Sequence, residues 1–254
     1  MSPVKKISTE EIGMNRDTIK YIAIIAMTCN HFAHVFLNSN TLLYEVLVNI
    51  GYFTAVTMCY FLVEGYHYTR DKQKYAQRLF IFGIISQIPY MLALSYKQFN
   101  MLLTLCICYQ ILQVLDSRRS ENEKYAMVFL LSSVTVVSDW ALMAPFFTII
   151  FAKSRGDKRK TIRAFLISAT AYGTINLLSI VMVYPVGEAV LRSVCSCIGI
   201  LAAGIVIVDC YNGKQAVRGR SFSKWFFYIY YPLHLAVLWI LKMNYYGKEL
   251  EMML

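Results

Sequence analysis

Long apolar stretches alternate with short clusters of charged residues along this chain. A membrane-spanning helix needs about 20 mostly apolar residues, and the strongest of these stretches are long enough to cross a bilayer alone. The pattern therefore predicts an all-α, polytopic membrane bundle of about nine transmembrane helices. The predicted spans are 18–37, 42–66, 76–95, 99–115, 125–137, 140–152, 162–184, 187–209 and 224–242.

The segment between Lys124 and Lys153 is the weakest part of this pattern, because Ser138, Asp139 and Trp140 interrupt it. It is either one long helix with a central Asp or a hairpin of two short helices. Only the hairpin places the five main clusters of Lys and Arg on one face, as the positive-inside rule requires. We therefore predict the hairpin, with the N-terminus cytoplasmic, the C-terminus outside and Asp139 at the outer tip.

These boundaries divide the chain into three parts. A cytoplasmic N-terminal segment is expected at 1–17, a transmembrane domain at 18–242 and a C-terminal tail at 243–254. No cleavable signal peptide is evident, since the first apolar run is long enough to be a retained span.

Composition agrees with a membrane protein and excludes two other classes. Of the 254 residues, 57% are hydrophobic and 16% are charged, whereas soluble domains have about 45–50% and about 25%. Disorder needs low hydrophobicity and is excluded as well. The net charge of +10 comes from basic residues that flank apolar spans, so we expect no nucleic-acid partner. The 7 Cys residues show no zinc-like spacing, and no metal is expected.

Polar residues at membrane depth are the candidates for function, because burying them in a bilayer is costly. Counted at ~1.5 Å per residue from the basic residues at the start of their helices, His31, Gln87 and His234 lie at one level, about 13–16 Å deep. Glu64 lies closer to the cytoplasm. Each has a structural alternative, since buried His and Gln side chains also tie neighbouring helices together.

The spacing of Lys20 and His31 adds a geometric argument. Eleven residues advance a helix by about 1100°, roughly 20° past three full turns, so both side chains share one face. A basic residue at the cytoplasmic end then lies below an imidazole near the midplane. This arrangement suits a phosphate-bearing donor that enters from the cytoplasm and extends its reactive end toward a base.

Several segments together resemble the TraX family of membrane proteins, which is named for an F-pilin acetylase. The matching segments are Ile19–Ala23, Asn30–Ala33, Gly51–Phe53, Phe61–Arg70, Ile85–Pro89, Phe99–Leu105 and Tyr230–Leu235. The resemblance implies a multi-spanning acetyltransferase that moves acetyl from cytoplasmic acetyl-CoA, its donor substrate, to an acceptor at or beyond the membrane.

The chain is also similar in outline to the larger membrane acyltransferase family three. Its first span carries a basic residue, ten intervening positions and a His, a pattern that Lys20 and His31 match with Lys in place of the usual Arg. Many members have Asp before the His, where this chain has Asn30. Asn accepts a hydrogen bond but lacks the charge, which directs attention to Glu64 and Asp139 as alternative carboxylates.

The resulting hypothesis gives His31 the role of general base, because imidazole is suited to proton transfer near neutral pH. A donor to the developing oxyanion is expected from Gln87, Asn100 or His234. Glu64 orients a basic residue or a water molecule. The remaining assignments are Lys20, Arg70 and Arg78 for the CoA phosphates, Asn30 beside the base, and Asn100 and Asp139 for the acceptor.

Two other classes of function fit the same residues. A proton-coupled transporter also uses His, Gln and Glu at membrane depth, and an accessory protein would bind a partner helix without chemistry. The acceptor of an acetyltransferase is either a peptide amine, such as a pilin N-terminus, or a surface glycan. The expected location is the bacterial cytoplasmic membrane, with the lipid bilayer as a partner. The sequence does not decide whether the chain forms a homo-oligomer.

Overall fold

The computed structural model describes residues 13–216 and 219–253, and within these ranges the chain folds into nine α-helices without a β-strand. The helices are α1 (Arg16–Phe36), α2 (Leu42–Tyr68), α3 (Lys72–Leu94), α4 (Met101–Leu115), α5 (Glu121–Val134), α6 (Met143–Ser154), α7 (Lys158–Ile180), α8 (Val186–Ile205) and α9 (Arg220–Met253). The all-α prediction is confirmed. Most of the predicted N-terminal segment, 1–12, lies outside the described residues, and α9 continues through the predicted tail as far as Met253.

Five helices in the described ranges are long and apolar enough to cross a membrane. They are α1, α2, α3, the segment Val186–Cys210 and the segment Ser221–Tyr245, while α4 and α6 are shorter apolar helices. A set of long apolar helices packed side by side defines a membrane protein. The number of crossings and their orientation stay predictions.

The segment 121–154 forms the predicted hairpin of two short helices, α5 and α6. A capping box starts α5, because the Ser120 hydroxyl accepts from the Glu123 amide and the Glu123 carboxylate accepts from the Ser120 amide. A 3₁₀ turn at Thr135–Val137 and a left-handed backbone at Trp140, with φ of 57°, end the helical path between them. A bulky side chain rarely adopts this conformation, so neighbouring contacts hold the tip in place.

The start of α4 lies inside the bundle rather than level with the end of α3. The Asn100 side-chain amide donates to the Gly83 carbonyl at 2.7 Å, and Gly83 lies eleven residues, or ~16 Å, before the last residue of α3. The chain between the two helices therefore turns back into the bundle. The hairpin tip meets it there, since the amide of Asp139 donates to the Phe99 carbonyl at 2.7 Å.

The helices that carry the candidate residues are close neighbours. Helix α1 packs along α2, α2 along α8, and α3 between α4 and α9. Beside the start of α1, the amide of Met14 donates to the Cys210 carbonyl at 2.7 Å and that of Arg16 to the Lys214 carbonyl at 2.9 Å. These bonds fasten the α8–α9 connection to the end of the bundle where α1 begins, called the basic end below.

Candidate active site between two cavities

A cavity of 570 Å³, the basic cavity, lies between α1, α2, α3, α4 and α9 at the basic end. Its positive charge comes from three helices, α1, α3 and α9, and from the α2–α3 turn, and Asp17 is the one carboxylate in its lining. The basic residues that line it are Arg16, Lys20, Arg70, Arg78 and Lys224. The structure thus brings together all three side chains that the sequence assigned to phosphate binding.

A second cavity of 510 Å³, the imidazole cavity, lies toward the opposite end of the bundle. Its lining contains no Lys or Arg, and Asp139 is its one carboxylate. His31 and His34 supply the imidazoles. Aromatic rings form much of the remaining wall, namely Tyr52, Tyr90, Tyr96, Trp140, Tyr172 and Tyr231.

Four residues, Met27, Thr54, Met101 and Tyr231, line both cavities, and we call them the neck. The two cavities are therefore adjacent and share part of their walls. A ligand whose charged part occupies the basic cavity can place its far end in the neck, next to groups of the imidazole cavity.

Lys20 and His31 occupy the positions that their helical spacing predicts. Lys20 lines the basic cavity and His31 the imidazole cavity, on the same side of α1. The Lys20 ammonium forms no ion pair among the described residues; it lies 5.4 Å from the ring centre of Phe227 and 5.9 Å from that of Phe61. The Nε atom of Arg78 is buried without a hydrogen-bond partner. Cations left without anionic partners in a cavity indicate a site for an anion.

His31 and His234 form a buried pair that joins α1 to α9. Nδ1 of His31 lies 2.8 Å from Nε2 of His234, and Nδ1 of His234 lies 3.0 Å from the carbonyl oxygen of Tyr230. A carbonyl only accepts, so Nδ1 of a neutral His234 carries the hydrogen and its Nε2 accepts from His31. The remaining nitrogen, Nε2 of His31, is then unprotonated. The geometry assigns a free lone pair to the one imidazole of the pair that lines a cavity.

His234 itself lines neither cavity. The structure therefore does not place it where the predicted donor to an oxyanion would lie. In the described tautomer its Nε2 accepts and its Nδ1 is bound to backbone. It acts on the site through His31.

Gln87 and Asn100 are bound to each other and line neither cavity. The Gln87 carbonyl oxygen accepts from the backbone and side-chain amides of Asn100 at 3.0 and 2.9 Å, and its Nε2 donates to the Gln98 carbonyl. The Asn100 oxygen caps α4 by accepting from the amides of Leu102 and Leu103. These contacts fix the depth at which α4 begins, and the structure does not bring the two amides to the imidazoles.

The remaining predicted residues fall into two places. Asn30 donates from Nδ2 to the Val48 carbonyl at 3.0 Å and lines the imidazole cavity from the α1–α2 contact. Glu64 lies 3.8 Å from Nε of Arg155 and lines neither cavity. Asp139 lies in the hairpin tip on the imidazole cavity, where burial raises its pKa to about 7.

Tyr231 is the residue of the site that the sequence analysis did not single out. It precedes His234 by three residues, a spacing that places both on one face of a helix. That spacing was the available signal. The residue type alone gives no such signal, because Tyr is common at the membrane interface.

Among the described residues, no group of three or more His, Cys, Asp and Glu side chains is arranged to hold a metal ion. The site is built from one free imidazole nitrogen, a cationic pocket and the neck between the two cavities. Such a site, set within long apolar helices, defines a polytopic membrane protein with chambers toward both ends.

Comparison with known proteins identifies the family. The family model described as TraX protein matches residues 15–242, and the chain belongs to this family. A relative is the probable fimbrial assembly protein FimC, serogroup H1, of Dichelobacter nodosus, which is 31% identical over 251 residues that cover 92% of this chain and 98% of the relative. No solved structure matches the chain. The family resemblance drawn from the sequence is confirmed.

Proposed function

We propose that the protein is a membrane-bound acetyltransferase that moves an acetyl group from cytoplasmic acetyl-CoA to an amine or hydroxyl acceptor at or across the bacterial cytoplasmic membrane. The neck is the observation that carries this proposal. A donor bound in the basic cavity and an acceptor bound in the imidazole cavity meet there, beside the free nitrogen of His31.

The donor side has the charge that acetyl-CoA requires. Phosphate groups bind to clustered Arg and Lys, and Arg offers two parallel N–H donors to each phosphate. Arg16, Arg70 and Arg78 line the basic cavity together with Lys20 and Lys224. With the phosphates held there, the pantetheine arm runs along the Lys20–His31 face of α1 and carries the thioester to the neck.

The acceptor side supplies the base. An acceptor N–H or O–H that enters the imidazole cavity meets the unprotonated Nε2 of His31, which removes the proton as the acceptor attacks the thioester carbon. His31 then holds the proton as an imidazolium, and Nδ1–H of His31 forms a stronger hydrogen bond to neutral His234.

The TraX family is associated with pilin acetylation, and the Dichelobacter relative is named as a probable fimbrial assembly protein. Both support a pilin-like peptide as the acceptor. The aromatic wall of the imidazole cavity also suits a sugar, so a surface glycan is the alternative acceptor. Incubation with labelled acetyl-CoA and native membrane extract, followed by mass spectrometry, identifies the molecule that gains the label.

The central test uses His31→Ala and His31→Gln. Loss of a general base lowers a rate by about 10²–10⁴-fold, so both variants should lose acetyl transfer. Loss of the buried hydrogen bond to His234 should lower their melting temperature, but they should still fold and still be stabilised by acetyl-CoA. His67→Ala is the control, since His67 is exposed and lines neither cavity. A stable, fully active His31→Ala protein would refute the proposal.

A proton-coupled carrier is the second candidate, because two cavities that approach each other from opposite ends also describe a transport path. The distinguishing measurement is ligand-dependent stability. Acetyl-CoA near a millimolar concentration should raise the melting temperature of the purified protein by linkage. No shift, together with proton flux into vesicles that contain the protein, would favour the carrier.

A further inference from the structure

The neck contains one side-chain hydrogen-bond donor that is not engaged. Tyr231 is 5% exposed, and its hydroxyl oxygen is buried without a hydrogen-bond partner. The Thr54 hydroxyl donates to the Ala23 carbonyl at 2.6 Å, and Met27 and Met101 have no polar hydrogen in their side chains. A buried hydroxyl without a partner costs free energy, and such a group in a site indicates a role with a ligand.

The N-terminus of α4 supplies a second free donor at the same place. Met101 is the first residue of α4, and the Asn100 cap serves the amides of Leu102 and Leu103 instead. No acceptor for the Met101 amide is found among the described residues. The Met101 backbone lies within reach of the Tyr231 hydroxyl, and the hydroxyl oxygen has no partner at full hydrogen-bond geometry. The first amides of a helix also carry its positive dipole end, which favours a negative charge.

We propose that the Tyr231 hydroxyl and the Met101 backbone N–H together form the oxyanion-binding site of the enzyme. The inference rests on the proposed acetyl transfer, for which it names the groups that stabilise the reacting carbonyl. Tyr231 would be a catalytic residue, because its hydroxyl touches the oxygen on which charge develops.

The placement of the base agrees with this assignment. The ring centre of Tyr231 lies 6.5 Å from that of His31 and 5.6 Å from that of His234. Tyr231 and His31 both line the imidazole cavity, while Tyr231 and Met101 also line the basic cavity. A thioester carbonyl in the neck therefore has His31 on the acceptor side and the two donors within the neck itself.

The reaction step balances with these groups alone. The acceptor nitrogen or oxygen forms a bond to the thioester carbon, its proton goes to Nε2 of His31, and the carbonyl electron pair moves onto the oxygen held by Tyr231 and Met101. The oxyanion then reforms the carbonyl, the C–S bond breaks, and its electron pair leaves on the CoA sulfur. The proton of the His31 imidazolium passes to that thiolate, which leaves free CoA thiol and the acetylated acceptor.

Tyr231→Phe tests the proposal because it removes one oxygen and retains the ring. Loss of an oxyanion donor lowers kcat by about 10²–10³-fold. We expect that loss in acetyl transfer, with the KM for acetyl-CoA and the thermal shift on acetyl-CoA binding close to wild type. The melting temperature should stay equal or rise, because the hydroxyl makes no hydrogen bond that the variant would lose.

Tyr21→Phe is the matched control. It removes a phenol hydroxyl that also lies between α1 and α9, but this hydroxyl bonds to Ser223 at 3.1 Å and Tyr21 lines neither cavity. Its kcat should equal that of wild type, while its melting temperature falls slightly.

The outcomes separate this proposal from the one on which it rests. If wild type and Tyr21→Phe transfer acetyl and Tyr231→Phe does so at the same rate, the oxyanion site is refuted and the acetyltransferase stands. A Tyr231→Phe protein that is less stable and loses acetyl-CoA binding would assign the hydroxyl a structural role and equally refute the proposal. If wild type neither transfers acetyl nor is stabilised by acetyl-CoA, both proposals are refuted.

Discussion

The hydrogen bond between His31 and His234 determines which nitrogen of each ring carries hydrogen. In the proposed mechanism, a second imidazole orients the base and accepts from it, as a carboxylate does in an Asp–His pair, but it brings no negative charge into the apolar interior. Asn30, which stands where many acyltransferases have Asp, is bound to the Val48 carbonyl instead. In this chain the partner of the base therefore comes from α9 rather than from the adjacent residue.

Replacement of His234 should slow transfer without weakening donor binding. His234→Ala leaves Nδ1–H of His31 without its acceptor, so the ring loses its fixed tautomer. We expect kcat to fall by about 10²-fold or more, with the KM for acetyl-CoA within a factor of about 3 of wild type. His234→Gln, whose amide oxygen can accept, should recover part of the rate. Equal activity of His234→Ala and wild type would show that the pair is only structural.

The connection between α3 and α4 shows what sequence analysis could and could not predict about an element. The apolar pattern placed the nine helices close to their observed bounds and favoured the hairpin, because helix length and the charge of flanking loops can be read along the chain. It also brought His31 and His234 to one depth, where they meet. It could not reveal that Gln87 and Asn100 bind each other, since that contact depends on α4 beginning inside the bundle. Tyr231 was missed for a similar reason, because its surroundings come from three other helices.

Helix α8 offers a matched pair of glycines for testing how closely the bundle is packed. A Cβ at Gly199 would collide with the Asn49 carbonyl oxygen and lie 2.9 Å from the Phe53 amide nitrogen, both backbone atoms of α2, whereas one at Gly187 would meet nothing within 4 Å. Gly199→Ala should lower the free energy of unfolding by about 1–3 kcal/mol, and Gly187→Ala should leave it nearly unchanged. Denaturant titration in detergent measures both, and equal stability of the two variants would contradict the close α2–α8 contact.

Positive charge is distributed unequally between the two cavities of the molecule. All five Lys and Arg residues that line a cavity belong to the basic cavity, so an anionic donor has one side from which to enter. The positive-inside rule assigns that side to the cytoplasm, where acetyl-CoA is made. In the proposed mechanism, topology and donor binding depend on overlapping sets of residues, and Lys20 and Arg70 belong to both.

Reporter fusions test the orientation directly. A fluorescent protein fused after residue 156, in the α6–α7 turn, should fluoresce because that turn is expected in the cytoplasm. Alkaline phosphatase fused after residue 184, in the α7–α8 turn, should be active because that turn is expected outside. Activity of both reporters at the same turn, or the reverse pattern, would contradict the predicted orientation.

The position of His31 along α1 makes the two routes to it unequal in length. Fifteen residues separate it from Arg16, a rise of ~22 Å, but only five separate it from Phe36 at the other end of the helix, a rise of ~8 Å. The donor must supply a long, thin arm, while two or three residues of an extended chain, at ~3.3 Å each, cover the other distance. In the proposed reaction, an acceptor is therefore modified at its tip while the rest of it stays outside the bundle.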